Sequence, residues 1–491
     1  MEASCSSDVT SKSKSKSPAV VQIDGVPVPK RFKPSRFNAH TIDDDGALLL
    51  YNSYTGHNCA IPAQNVARAE VYLTAEGFTG HADKLGQYLL SKGYIVEEAV
   101  DEDARWNVRY GLEQYRQNQM ELILLSSEDC NFRCIYCSQE FKRGSMLPEV
   151  RAGVRNHVLA RIRRLQTFSV EWFGGEPMLG YDAIEELAPF FQEQAARHEV
   201  VYSSGMTTNG YLLYPERSRK LVAWGVNRYQ ITLDGGAIEH DAHRPLSNGG
   251  GTFDQILANL AAMKQIEQPF EVAVRFNFDP VNLPHAETLF RNVRAALGDD
   301  SRFAMRFRPV GQWGGPNDQS LEVCGVKEAS RELIQLTVKA QSIGLATDDL
   351  GDALLPAPGS VCYAARPYNL IVGADGKLMK CTVVLDTMAD NVVGRLHQDG
   401  TVTVDQDRFA KWVKPYYRED AMCNKCFYVP VCQGAQCPLP RLETGDRPCP
   451  PQKLEIQQTL KDFRRARINK AAARTVRLSE SAPTALASVG G

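Results

Sequence analysis

The chain has 491 residues, a formal net charge of −2 and 43% hydrophobic residues. That length exceeds one ordinary core and predicts two or three domains, and the near-neutral charge argues against electrostatic capture of nucleic acid or an anionic membrane. The sequence has neither an apolar run of about 18 residues nor an apolar signal core at the N-terminus, so the expected location is cytoplasmic.

Residues 1–30 are polar and of low complexity, with Ser11-Lys12-Ser13-Lys14-Ser15-Lys16 at their centre. Such a segment buries no core and is expected to be a disordered tail. Residues 31–115 read as a small α+β unit. Ala47 to Gly56 predicts a strand turning into a hairpin, and Ala63–Leu73 and His81–Lys92 have helical apolar spacing. Gly93-Tyr94-Ile95-Val96 ends the second helix and starts a strand. This order is compatible with a winged-helix-like module.

Thirteen cysteines in a cytoplasmic chain point to metal or redox chemistry rather than to disulfides. Eleven of them lie from Cys130 onward. Leu122–Leu125 predicts a strand that runs into a loop carrying Cys130, Cys134 and Cys137, three thiols able to face one point. Three thiols leave one corner of a cubane [4Fe–4S] cluster without a protein ligand. Further apolar runs near 168–173, 200–206, 228–233, 271–278 and 303–309 alternate with amphipathic stretches. Six such strand–helix units predict a parallel sheet with its active site at the carboxyl ends of the strands. Polar motifs fall at those ends: Gly174-Gly175-Glu176, Thr207-Thr208-Asn209-Gly210, Thr232-Leu233-Asp234-Gly235, then His240-Asp241-Ala242-His243-Arg244-Pro245 and Gly251-Thr252-Phe253-Asp254. Arg275 and Asn277 lie on the fifth strand.

The CxxxCxxC loop, with Tyr136 before its last cysteine, resembles the radical S-adenosylmethionine (SAM) superfamily, whose fold is a partial (β/α)6 barrel. The resemblance covers about 120–450. It implies that Cys130, Cys134 and Cys137 hold a [4Fe–4S] cluster whose open iron binds SAM, and that a 5′-deoxyadenosyl radical abstracts hydrogen. It also implies SAM contacts from Tyr136, Gly174, Gly175, Glu176, Thr208, Asn209, Thr232 and Asp234. Either Arg244 or Arg275 would suit the SAM carboxylate; the sequence leaves that choice open. No catalytic acid or base is identified.

Beyond 346 lies a second cysteine field. Cys362 and Cys381 flank a predicted hairpin, Tyr368 to Met379, turning on Asp375-Gly376. Cys423, Cys426, Cys432, Cys437 and Cys449 follow. A zinc ribbon is the bland reading of Cys423, Cys426, Cys432 and Cys437. The whole string resembles the SPASM extension of radical SAM enzymes. That resemblance implies one auxiliary [4Fe–4S] cluster on Cys362, Cys381 and Cys437, and a second on Cys423, Cys426, Cys432 and Cys449. Relatives with a fully ligated first auxiliary cluster have one more cysteine just before the hairpin. Residues 355–361 have none, so an open iron is expected there. Cys324 is remote in sequence, and Cys5 and Cys59 look incidental. A basic helical segment, 453–475, and a frayed end are expected to close the chain.

The HDxxR and GTFD strings are similar to those of the branch containing sulfatase-maturing enzymes and peptide maturases. The resemblance implies an oxidoreductase that installs a carbon–carbon or thioether crosslink in a ribosomally made precursor peptide. The N-terminal module, 31–115, would bind the leader along a strand edge. An electron donor such as flavodoxin or ferredoxin is implied. The alternative is oxidation of Ser or Cys to formylglycine in a sulfatase. The expected units are 1–30, 31–115, 116–345, 346–452 and 453–491.

Overall fold

The computed structural model describes residues 22–480, apart from 24–25, 28–29, 75, 142, 435–436 and 448. Residues 1–21 and 481–491 of the expected tails, with Cys5, lie outside the described residues. Within the first tail, β1 (Gln22–Ile23) and β2 (Val26–Pro27) pair antiparallel.

Two three-stranded antiparallel sheets form the N-terminal unit. One has the order β7 (Phe78–Gly80), β3 (Lys30–Pro34), β8 (Ile95–Glu97); the other has β4 (Asn38–Ile42), β5 (Leu48–Asn52), β6 (Asn58–Ile61). Helices Val66–Leu73 and Lys84–Ser91 accompany them, shorter than their apolar spacing predicts. The second starts at Asp83, whose side chain accepts the Gly86 amide. Tyr72, Leu89, Tyr94 and Ile95 fill the core between sheets and helices.

The barrel follows. Six parallel strands run in chain order: β9 (Gln119–Ser127), β10 (Thr167–Gly174), β11 (Val201–Thr208), β12 (Val226–Thr232), β13 (Glu271–Phe278) and β14 (Phe303–Pro309). A short β15 (Ala346–Thr347) pairs only with Ala304 and Met305. Alternation sets the two faces of each strand. Val272, Val274 and Phe276 pack outward with helix residues such as Leu289 and Phe290, and the residues between them face the lumen.

On the opposite edge the sheet does not stop. The predicted hairpin forms as β16 (Asn369–Val372) and β17 (Lys377–Met379), and β16 pairs parallel with β9. Then β18 (Val392–Leu396) and β19 (Val402–Val404) continue antiparallel, giving one sheet of eleven strands. The second cysteine field is thereby built onto the strand that delivers Cys130.

The closing helix, Ile456–Glu480, folds back onto the N-terminal unit. Leu460 packs with Leu49, Tyr51 and Tyr428. Arg464 bonds Asp43 and Asp45, and Lys461 and Arg465 reach Asp44. The N-terminal unit also shares a core with the cysteine field: Phe37, Trp106 and Tyr110 pack with Tyr417, Cys423 and Val429. Among the described residues, no helix is long and apolar enough to cross a membrane.

Candidate active site

The loop after β9 is held rigidly. Its backbone zips against the end of the HDAHRP string and the residues just after it: Ser247 N donates to Asn131 O at 2.8 Å, Arg133 N to Pro245 O at 2.9 Å and Ile135 N to His243 O at 3.0 Å. The loop after β14 covers it, with Asn317 Nδ2 donating to Ile135 O at 2.9 Å. Cys130 lies within electrostatic reach of Cys134 and Cys137, and burial pushes its thiol up to about 12. Burial also pushes Cys134 up to about 11. Thiols held neutral this way become ligands by losing their protons to a metal.

Tyr136 turns its hydroxyl into the barrel. It donates to Asp234 and accepts from Arg244 Nη1 at 2.7 Å and Asn277 Nδ2 at 2.9 Å. Asp234 also accepts the Asn277 amide at 2.9 Å, and Arg244 lies 3.9 Å from it. Burial raises the Asp234 carboxyl against the pull of Arg244. The ends of β9, β12 and β13 thus meet in one buried polar knot.

Ends of β10 and β11 meet in another. Glu176 is wholly buried and accepts from Thr208 Oγ1 and Asn209 N at 2.7 Å, and from Met178 N at 2.9 Å. Burial raises its carboxyl against these bonds. Asn209 Nδ2 donates to Asn131 Oδ1 at 2.8 Å, beside Cys130. The glycines before Glu176 also answer a need that the sequence does not show. Gly174 has φ +134, and a Cβ there would sit 1.9 Å from Ser127 O. At Gly175 it would sit 2.5 Å from Asp129 O. The close approach is to the backbone feeding the cysteine loop, so the pair positions that loop directly.

Thr232 pairs in register with Arg275, and both sit on the lumen side. Arg275 turns to Asn277 Oδ1 at 2.5 Å. Arg244 is the arginine within electrostatic reach of Cys134, and its Nε is buried without a hydrogen-bond partner among the described residues.

The second field divides its thiols in two. Cys362 lies within electrostatic reach of Cys437 and Cys381, and Cys381 within reach of Cys437. Cys423, Cys426, Cys432 and Cys449 line one cavity, and Cys432 feels the other three. Cys437 therefore sits apart from the neighbours a zinc ribbon would give it. Burial pushes Cys432 up to about 12 and Cys423 and Cys362 up to about 11. Arg441 Nη2 approaches Cys423 Sγ at 3.3 Å while pairing with Asp420 at 3.1 Å. Cys324 has Glu328, Asp279 and Glu332 as its charged neighbours. Of the four residues between Cys432 and Cys437, Ala435 and Gln436 lie outside the described residues. Among the described residues, no three His, Cys, Asp or Glu side chains converge on a point for one metal ion. A cubane gives each thiolate its own iron and needs no such convergence.

Two contributors carry no motif in the sequence. Asn131 anchors Asn209, and Asp279 pairs with His243 at 2.9 Å, both nearly fully buried. Only their position beside motif residues marks them.

Residues 124–280 match the family model described as the Radical SAM superfamily. A GTP 3′,8-cyclase of Nostoc punctiforme is 30% identical over 292 residues, 54% of this chain and 82% of the relative. A serine-type anaerobic sulfatase-maturating enzyme of Klebsiella aerogenes is 23% identical over 325 residues, 63% of this chain and 77% of the relative. Other curated relatives are matched over less than half of their own length, 47% and 38%. The solved structure of native anSMEcpe with bound AdoMet and Cp18Cys peptide superimposes with a TM-score of 0.54 at 18% identity, over 73% of this chain and 99% of that one, a likeness of fold. With its cysteine loop at the mouth of a parallel half-barrel, the chain belongs to the radical SAM superfamily.

Proposed function

We propose that this chain is a radical SAM peptide maturase that installs a carbon–carbon or thioether crosslink in a ribosomally made precursor. The observation that carries the reading is the pairing of a complete-looking barrel mouth with a free strand edge in the N-terminal unit. β6 is the outer strand of its sheet. Beside it runs a groove of about 330 Å³, lined by Leu49, Cys59, Ala60, Leu460, Phe463 and Arg467 among others. An extended leader could add to that edge through main-chain bonds and rest apolar side chains in the groove.

The family implies a [4Fe–4S] cluster and SAM, and the residues fit them. Cys130, Cys134 and Cys137 would hold the cluster, and the orphaned Arg244 Nε would meet the SAM carboxylate. When bound, cluster and SAM supply a carbon-centred radical able to remove a hydrogen atom. The chain's own part is position. Tyr136, Asp234 and Asn277 fix the guanidinium of Arg244. Glu176, held by Thr208 and Asn209, sets the Gly174–Gly175 backbone against the loop, where the SAM amino group would sit. Thr232 would meet the ribose.

Cys362, Cys381 and Cys437 would hold one auxiliary [4Fe–4S] cluster with an open iron, and Cys423, Cys426, Cys432 and Cys449 a second. Those groups would carry away the extra electron of crosslinking, and a flavodoxin or ferredoxin would deliver electrons to the first cluster. The runner-up is formylglycine formation, favoured by the sulfatase-maturating relative that aligns over 77% of its length. The test is anaerobic incubation with SAM, dithionite and the product of any small reading frame beside the gene. A mass change in that peptide with 5′-deoxyadenosine release supports the proposal. Conversion of a sulfatase peptide alone supports the runner-up, and no 5′-deoxyadenosine from loaded enzyme overturns both.

A further inference from the structure

The lumen carries more positive charge than the SAM site uses. Strand register aligns Arg275 with Arg306 and Asn277 with Arg308. Asn277 bonds Tyr136, so all four face the lumen beside the cysteine loop, while Phe276 and Phe307 pack on the outer face. Arg306 is committed to Asp348, at 2.6 and 3.2 Å. Arg244 is committed to Tyr136 and Asp234. The other two are not. Arg275 reaches only Asn277, and Arg308 only the carbonyl of Phe307 at 3.1 Å. Among the described residues, neither has a carboxylate within ion-pair distance.

Of the other acids here, Glu171 takes Arg228, Glu121 takes Arg366 and Asp349 accepts the Gly351 amide. Arg275 feels the charge of Arg308, and burial and that repulsion both weaken its hold on its proton. Arg308 is exposed, with Arg306 and Asp348 as its charged neighbours. Two guanidiniums, neither in ion-pair contact with a carboxylate, form an unfinished pair. A cavity of about 350 Å³ opens beside Arg308 at the outer edge of β14, beyond Met305 where β15 stops; Arg306, Arg308, Thr337, Asp348 and Asp349 line it.

We infer that Arg275 and Arg308 form a substrate subsite for a carboxylate, the side chain of an Asp or Glu close to the residue being modified. The inference rests on the peptide-maturase reading and adds a specificity to it. Planar guanidiniums side by side match a carboxylate with parallel N–H···O bonds. An acidic residue bound there would lie in the lumen against the end of β13, next to the SAM-side knot of Tyr136 and Asn277.

The test is a ligand-observed NMR titration of the anaerobically reconstituted, SAM-bound full chain. The probes are acetyl-Gly-Asp-Gly-amide and its Asn and Lys counterparts. The Asp probe is expected to bind about tenfold tighter than the Asn probe. Arg308→Glu is expected to erase that preference and favour the Lys probe, which a loss of fold would not do. Equal binding of Asp and Asn probes, no binding of the Asp probe, or a site that takes GTP and ignores all three peptides overturns the inference. 5′-Deoxyadenosine formation from SAM and dithionite without peptide tests the underlying reading separately. If it forms while the probes fail to discriminate, only the carboxylate subsite falls; if it does not form, the maturase reading falls whatever the probes do.

Discussion

Glu128, the residue that leads β9 into the cysteine loop, accepts the amide of Ala374 at 2.8 Å, across 246 residues of sequence. Ala374 lies in the turn of the hairpin between Cys362 and Cys381. The same carboxylate takes Arg143 at 2.7 Å, and Arg143 reaches on to Asp386 at 2.8 Å. Glu128 is almost wholly buried. One side chain therefore ties the loop of Cys130 to the hairpin between Cys362 and Cys381. Glu128→Ala leaves Arg143 and the turn without their acceptor, and should cost about 3 kcal/mol. A thermal midpoint lowered by several degrees checks this; an unchanged midpoint contradicts it.

Gly174→Ala should be among the most damaging single-methyl changes in the chain. Its Cβ would lie 1.9 Å from Ser127 O, and its φ of +134 suits glycine alone. The expected cost is about 3 kcal/mol. If the effect is local, loop iron content falls before global stability does, read as iron loss below the melting temperature.

Arg244→Lys keeps the charge but removes the fork. With Nη1 on Tyr136 and Nε free, a lysine cannot serve both sides. SAM affinity, measured by equilibrium dialysis, should fall about tenfold or more. The equivalent change at Arg275 should affect SAM less, because Arg275 reaches the Tyr136 knot only through Asn277.

His243 and Asp279 give the site loop a pH dependence. Burial opposes the charged ring, but Asp279, the Glu239 carbonyl and the Asp234 charge together outweigh it and raise the His243 pKa above 6.5. Burial likewise opposes the Asp279 charge, and His243 with the Asn282 and Val281 amides together outweigh it, lowering its pKa below 3.8. The share from His243 is complete below 6.5 and is lost as pH rises through its folded value. The share from Asp279 is complete above 3.8 and is lost as pH falls through its folded value. The stability gap between wild type and Asp279→Asn should be widest between those limits and narrow on the alkaline side. A gap independent of pH would contradict the charged pair.

Much of this was legible before the structure. All six barrel strands fall within two or three residues of their apolar runs, because buried parallel strands are near-continuously hydrophobic. The division of the second-field thiols came from the resemblance to the SPASM extension and not from their spacing. What sequence could not give was contact between distant segments. Nothing in Tyr368–Met379 announces that its first strand extends the barrel sheet through β9. Nor does the Gly174–Gly175 pair announce its close approach to the backbone of Ser127 and Asp129. Residues 31–115 read as a unit of their own, yet Phe37 and Trp106 pack on Tyr417 and Cys423. That packing also bears on experiment: removing residues 1–115 would strip the wall behind Cys423, so leader recognition is better probed by substitutions along β6.

The central claim is that three separate thiol sets hold three cubanes, and iron and sulfide counting tests it most directly. Anaerobically reconstituted wild type should carry about 12 iron atoms per chain, and Cys130→Ala/Cys134→Ala/Cys137→Ala about 8. A count of about 4 iron atoms that vanishes in the triple variant, with zinc in the remainder, would contradict the auxiliary clusters and the crosslinking chemistry built on them.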